Sequence, residues 1–307
     1  MILSVHKYGA EITKRKKAPH PNSWGKLGIT KNYEVRKHVV LQVTDVTKNN
    51  NKFYSLELHY NDKNEARLFS HYGRTDDLEK KGSDAGTKEC RYGGKTQIES
   101  EFDKIIKSKK KKGYCEVNLA KSNIGSDKAQ GQSAGFIDSK TLNALSSSKK
   151  KSIKANTKSN LDENIRNLVS LIYKEAGQAL TQKANIKITA EGFATPLGVL
   201  TLGQVDSGFG IISDLREAIQ KNNVDDIRRL SGDYYTTIPH RIGRTRKDIE
   251  SAIIQTIQRT DEAEETLQLM KDMLNVNDGS STNLFATDEV DERYQNLHTD
   301  IQFSNHW

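Results

Sequence analysis

Phe53-Tyr54-Ser55-Leu56-Glu57-Leu58 alternates at period two, the spacing at which successive side chains of an extended strand face opposite ways. Upstream, Val39-Val40-Leu41-Gln42-Val43 is an apolar, β-branched run, and Lys48-Asn49-Asn50-Asn51 between the two marks a turn. Downstream, a second turn at Asn61-Asp62-Lys63-Asn64 precedes Ala66-Arg67-Leu68-Phe69-Ser70-His71-Tyr72-Gly73-Arg74. Runs joined by turns this short predict an antiparallel meander. Ile98, Phe102, Ile105 and Ile106 then recur at helical spacing, with Thr96 and Glu99 set as a capping box. Residues 23–125 therefore read as one helix packed on a small twisted sheet.

Beyond that unit, residues 126–159 hold Gly131, Gly135, Ser146-Ser147-Ser148 and Lys149-Lys150-Lys151 with no sustained period, which predicts a flexible linker. From Asn160 the pattern reads as helical throughout. Leu161, Ile165, Leu168, Ile172, Ala176 and Ala179 make one stripe, with Asn160 and Glu163 placed for a cap. Thr201 and Gln204 repeat the capping pattern ahead of Val205, Phe209, Ile212, Arg216 and Ile219. Further stripes run through Ile227, Leu230 and Tyr234, then Ile249, Ala252, Ile253 and Ile257, then Ala263, Leu267, Met270 and Leu274. One-faced helices in succession have only each other to pack against, so residues 160–276 read as an all-α bundle. The expected class is α+β. Residues 277–307 open on turn residues and form a short final segment.

Residues 1–22 carry Lys14-Arg15-Lys16-Lys17 ahead of Pro19 and Pro21 and read as a basic tail: an import signal, a phosphate-grasping arm, or a solvated terminus. Lys and Arg number 48 against 40 Asp and Glu, a net +8, which favours a polyanionic partner. Cys90 and Cys115 are the two cysteines, without the paired spacing of a tetrahedral zinc site, so no metal is expected. No run of about 20 apolar residues exists to span a bilayer, and no signal peptide opens the chain, so a reducing compartment and no membrane partner are expected.

The stretch His71-Tyr72-Gly73-Arg74, closing a β-rich run and followed by an acidic loop and a helix, resembles the WGR domain of poly(ADP-ribose) polymerases, named for a Trp-Gly-Arg motif. Tyr72 stands where the family has Trp; Gly73 and Arg74 match, and Lys112-Gly113-Tyr114 resembles the family's closing strand. Thr195-Pro196-Leu197-Gly198-Val199-Leu200-Thr201 and Asp233-Tyr234-Tyr235-Thr236-Thr237-Ile238-Pro239-His240 resemble two stretches of the same family's regulatory helical domain, in members without zinc fingers. Residues 288–301 resemble the opening of its ADP-ribosyltransferase domain.

The resemblance implies that Tyr72, Gly73 and Arg74 meet a DNA break, with Lys109, Lys110, Lys111 and Lys112 as phosphate contacts. Physically, an aromatic face stacks on a base or sugar for about 1–3 kcal/mol, and a guanidinium fork pairs with phosphate oxygens. Tyr offers less face than Trp, so binding weaker than in Trp-bearing members is expected. The plainer alternative packs Tyr72 into the sheet core and leaves Arg74 on the surface. Pro196 suits a helical first turn, Gly198 a tight turn, and Pro239 the end of the helix carrying Tyr234. His240 has no neighbouring acid or nucleophile and reads as a capping or surface histidine, while Cys90 and Cys115 lack activating partners. Gly203, Gly208 and Gly210 each weaken their helix by up to about 1 kcal/mol, which predicts a helix that opens easily.

The family's nicotinamide-binding histidine, stacking tyrosine and catalytic glutamate would follow Trp307, so the chain is expected to hold no catalytic residue and no cofactor; NAD is implied for a complete member. The implied role is a DNA-break-sensing, autoinhibitory region in the nucleus, joined to a catalytic domain or a full-length relative. The alternatives are a non-enzymatic nucleic-acid-binding adaptor that partners a full-length member, and a fragment of an active enzyme.

Overall fold

The computed structural model describes residues 16–17, 33–61, 65–135, 161–172, 187–189, 192–275, 290–291, 294 and 300–302. The meander is present as β2 (Tyr33–Asp45), β3 (Asn50–Asn61), β4 (Ala66–Arg74) and β5 (Thr87–Gly93), with a one-turn helix α1 (Leu78–Lys81) between the last two. All pair antiparallel, and the sheet is closed on one edge by β6 (Cys115–Glu116) on β2 and on the other by β1 (Lys16–Lys17) on β5. Two residues of the predicted basic tail thus form an edge strand; the rest of that tail lies outside the described residues.

Helix α2 (Lys95–Lys110) lies on one face of this sheet, where Ile98 and Phe102 bury against Leu41, Leu56, Leu58 and Leu68. Removing each of these two side chains from water contributes about 1.5–3 kcal/mol. The predicted cap is different: the helix begins at Lys95, its N-cap is Gly94, and Thr96 lies within the first turn. Glu99 is occupied elsewhere, accepting the Tyr60 hydroxyl, and burial together with that carboxylate pushes the phenol up to about 12.

The second face carries the polar half of the alternation, yet Ser55, Glu57, His59, Arg67 and His71 are all buried. His59 and Arg67 lie against the Tyr33 ring, while Glu57 and His71 are met by the segment around Ser126, part of which the sequence assigns to a flexible linker. Ser126 donates from both N–H and Oγ to Glu57 at 2.7 and 2.5 Å, Gly125 N–H donates to His71 Nδ1 at 3.1 Å, and Ala129 and Ala134 are buried. The packed unit therefore runs to Gly135, and the remainder of that predicted linker lies outside the described residues. Burial alone would raise the Glu57 carboxyl, but hydrogen bonds from His59 and Ser126 and the nearby imidazoles hold it below the usual range.

The C-terminal half is not helical throughout. Strands β8 (Lys187–Thr189), β9 (Gly192–Thr195) and β10 (Gly198–Leu200) form a small sheet with β7 (Leu119–Ser122), in the order β7-β10-β9-β8. Pro196 therefore sits in the hairpin turn between β9 and β10 rather than in a helical first turn. Helices α3 (Leu202–Gln220), α4 (Val224–Thr237), α5 (Arg246–Ala252) and α6 (Ile257–Asn275) follow. Thr201 caps α3 as expected, accepting from Gln204 N–H. The stripe from Ile249 to Ile257 is divided between α5 and α6, and in the helical residues 163–172 it is Val169 that is buried while Ile172 is exposed. The proposed Asn160 cap and residues 276–289 lie outside the described residues.

Gly208 does more than weaken α3. A Cβ there would stand 2.8 Å from Leu267 Cδ2 and 3.3 Å from Ile238, so the glycine lets α3 and α6 approach closely. One hydrophobic core joins the halves: Val40, Phe53, Val117, Leu119 and Ile124 pack with Leu197, Val205, Ile212, Leu230, Tyr234 and Leu267.

Candidate nucleic-acid interface

Tyr72 and Arg74 are two residues apart at the end of β4, so they project from one face of the strand about 7 Å apart along it. Tyr72 pairs in register with Tyr54 of β3, and the two rings stack at 5.2 Å with planes 10° apart. The Tyr72 hydroxyl donates to Glu89 Oε1 at 2.9 Å. Above them the Lys109 ammonium lies 3.8 Å from the Tyr54 ring centre, 5.1 Å from Tyr114 and 5.9 Å from Tyr72. Lys109 comes from the last turn of α2, where a cation also faces the negative end of the helix dipole. Tyr54, Tyr72, Glu89 and Lys109, together with Arg91, Ile105, Ser108 and Lys112, line a cavity of about 150 Å³.

Of the other predicted lysines, Lys110 pairs with Glu116 at 3.2 Å and Lys111 is the C-cap of α2. The Lys112-Gly113-Tyr114 segment precedes the closing strand, which begins at Cys115. The structure thus brings Tyr72, Lys109 and Lys112 to one cavity.

Gly73 points the other way, and its role is spatial. A Cβ there would meet Gly86 Cα at 2.9 Å and the Phe53 ring at 3.2 Å, so β4 and the loop before β5 touch backbone to backbone.

Arg74 is at a junction between the two halves. Its Nε donates to Asp76 Oδ2 at 2.9 Å, Nη1 to Asn49 O at 2.8 Å, and Nη2 to Asn49 Oδ1 at 2.9 Å and to Gly243 O at 3.0 Å. Asp76, whose side chain is 5% exposed, accepts Ile242 N–H at 2.8 Å and Gly243 N–H at 2.9 Å, and its Oδ1 also takes Asn51 Nδ2. Around this centre Asn51 donates to His240 O, Thr236 Oγ1 accepts Thr44 N–H at 2.8 Å, and Arg241 and Arg244 pair with Glu79 and Asp77. Four of the five N–H groups of the fork are thus taken by protein groups from both halves.

Tyr54, Asn49, Asn51, Asp76 and Glu89 were missed by sequence reasoning. The acidic run Asp76-Asp77 after the motif was visible, but its partners lie about 165 residues away in the loop after α4 and leave no local signal.

His240 is neither surface nor cap. It is buried against Tyr234 and Tyr235, its Nδ1–H donates to Ile238 O, and burial lowers its pKa, leaving it neutral. It helps line a cavity of about 250 Å³ with Arg259 and Glu262. Cys90 is buried, and burial pushes the Cys115 thiol up, the opposite of activation. Among the described residues no group of three or more His, Cys, Asp or Glu could hold a metal, and no helix is long and apolar enough to cross a membrane.

Two family models match. The WGR domain covers residues 37–121, and the poly(ADP-ribose) polymerase regulatory domain covers residues 159–296. Among curated proteins, the chain is 24% identical over 160 residues to poly [ADP-ribose] polymerase 1 of Xenopus laevis, 26% over 161 residues to that of Gallus gallus, and 24% over 155 residues to that of Danio rerio. Each match takes in 50% of this chain and 15% of the relative, so the chain spans about 15% of the length of the relatives it matches.

Proposed function

Because this chain unites a WGR domain with a poly(ADP-ribose) polymerase regulatory domain and so belongs to that family, we propose that it senses nucleic-acid ends and passes the signal to its helical half. The observation that carries the reading is the end of β4, where Tyr72 faces a lysine-lined cavity and Arg74, two residues on, holds the loop after α4. A duplex end stacked at Tyr72, with its phosphates near Lys109 and Lys112, acts within one strand repeat of the junction. Shifting Arg74 changes the support of Gly243 and Ile242, which lead into α5.

The helical half, on this reading, restrains an ADP-ribosyltransferase domain that uses NAD, and the protein works in the nucleus on broken DNA. Coupling of this kind requires only that the ligand favour one arrangement of the junction by a few kcal/mol, within the range of common allosteric free energies of about 1–3 kcal/mol.

The test is binding of the full chain to a nicked duplex followed by fluorescence anisotropy across a salt series. Affinity is expected to fall steeply with salt, because neutralised phosphates release counterions. Hydrogen exchange in residues 224–245 is expected to change on binding. No binding at low salt refutes the sensing role; binding without any exchange change in that segment refutes the relay.

A further inference from the structure

Building on the reading that Tyr72 meets nucleic-acid ends, we propose that Glu89 is a positioning residue for end recognition, holding the Tyr72 ring through its hydroxyl. An acid is the wrong charge for a cavity that takes a polyanion, yet Glu89 is 6% exposed among Arg91, Lys109 and Lys112. Its placement explains its presence. On β5, Glu89 pairs with Ser70 and Thr87 pairs with Tyr72, which makes Glu89 the diagonal neighbour of Tyr72 on the same face. From there its carboxylate reaches the phenol at 2.9 Å.

The ring is therefore fixed from both flanking strands. Tyr54, directly opposite on β3, sets its plane, and Glu89 on β5 sets its tilt. An indole at this position would fill more of the cavity and carry no hydroxyl. A phenol is smaller and brings a polar tip that needs a partner when half-buried. Glu89 supplies that partner and keeps the smaller ring from turning, so less ordering remains to be done when an end stacks. The carboxylate belongs with the tyrosine: in this chain the two replace what a single larger ring provides.

The experiment uses the full chain and two duplexes of one sequence, one with a blunt end and one closed at both ends by loops, and reads the ratio of affinities for open over closed duplex. The ratio is the right quantity, because removing the Glu89 charge alters the attraction for both substrates alike. Tyr72→Phe and Glu89→Leu are each expected to lower the ratio about five- to tenfold, as for loss of one ordinary hydrogen bond. Glu89→Gln, whose amide oxygen still accepts, is expected to stay within about twofold of the wild type, and Tyr72→Phe combined with Glu89→Leu to be no worse than either alone. A purely structural Glu89 would lower thermal stability and leave the ratio unchanged, which overturns the proposal, as does a Tyr72→Phe ratio equal to wild type or additive losses in the double variant. Wild-type protein that binds neither duplex removes the sensing role itself; wild-type protein that binds both equally removes end recognition and Glu89 with it.

Discussion

Arg74→Ala separates the junction that the structure shows from the DNA contact that the motif implies. In the structure it removes four hydrogen bonds and leaves Asp76, 5% exposed, without its cationic partner. Breaking a buried pair by deleting one member costs about 3–5 kcal/mol. Here Asp76 keeps Asn51, Ile242 and Gly243 as donors, and the Arg74 side chain is 19% exposed, so the expected loss is smaller, roughly 2–4 kcal/mol. That is a large share of a domain stability of about 5–15 kcal/mol. The assay is urea unfolding of the full chain at neutral pH, with duplex binding measured on the same preparation. Arg74→Lys is expected to recover part of the loss, since an ammonium can meet Asp76 but cannot span Asn49 and Gly243 together. If Arg74→Ala unfolds within about 0.5 kcal/mol of wild type while losing DNA affinity, Arg74 is a surface ligand and the junction is not made in solution.

Acid should weaken the fold well above the range of ordinary carboxylates. His71 is held down to about 4, first by burial, and its two nitrogens are already committed, Nε2–H donating to Ala85 O and Nδ1 accepting from Gly125 N–H. The unfolded chain takes up this proton near 6.5 and the folded chain only near 4, so stability falls as pH drops between those values, by up to about 3 kcal/mol. His38, His59 and His240 are lowered as well and add with the same sign. Urea midpoints that stay level from pH 7 to 4.5 contradict this. Separately, a protease site inserted between residues 145 and 150 and cut after folding is expected to leave the two pieces co-eluting on gel filtration, held by the β7–β10 pairing and the common core. Pieces that elute apart show that the halves are not one unit.

The meander was readable because Phe53 to Leu58 and Ala66 to Arg74 carry strand period and turns in adjacent sequence, and α2 because Ile98 and Phe102 face one way. What escaped lies in distant partners. β9 and β10 are three or four residues long, too short for a period, and are specified by β7 on the far side of the predicted linker. Glu57 reads as the polar side of a strand, and nothing nearby tells that Ser126 will cover it. The site was half legible for the same reason. Its motif names Tyr72 and Arg74, whereas Tyr54, Glu89 and Asp76 matter only once three strands and a loop from the helical half are assembled around them.

The pairing of Ser122 with Gly198 joins positions 76 residues apart in the chain. At a synthesis rate of about 5–20 residues per second, β7 leaves the ribosome roughly 4–15 seconds before its partner exists. Throughout that interval the sheet-forming half presents an unsatisfied strand edge and the apolar surface of Val117, Leu119 and Ile124. The nascent chain therefore passes through a sticky stage set by translation timing rather than by its own folding speed. Synonymous codon changes that slow elongation between residues 123 and 197 should lengthen that exposure and lower the yield of protein whose finished sequence is unaltered.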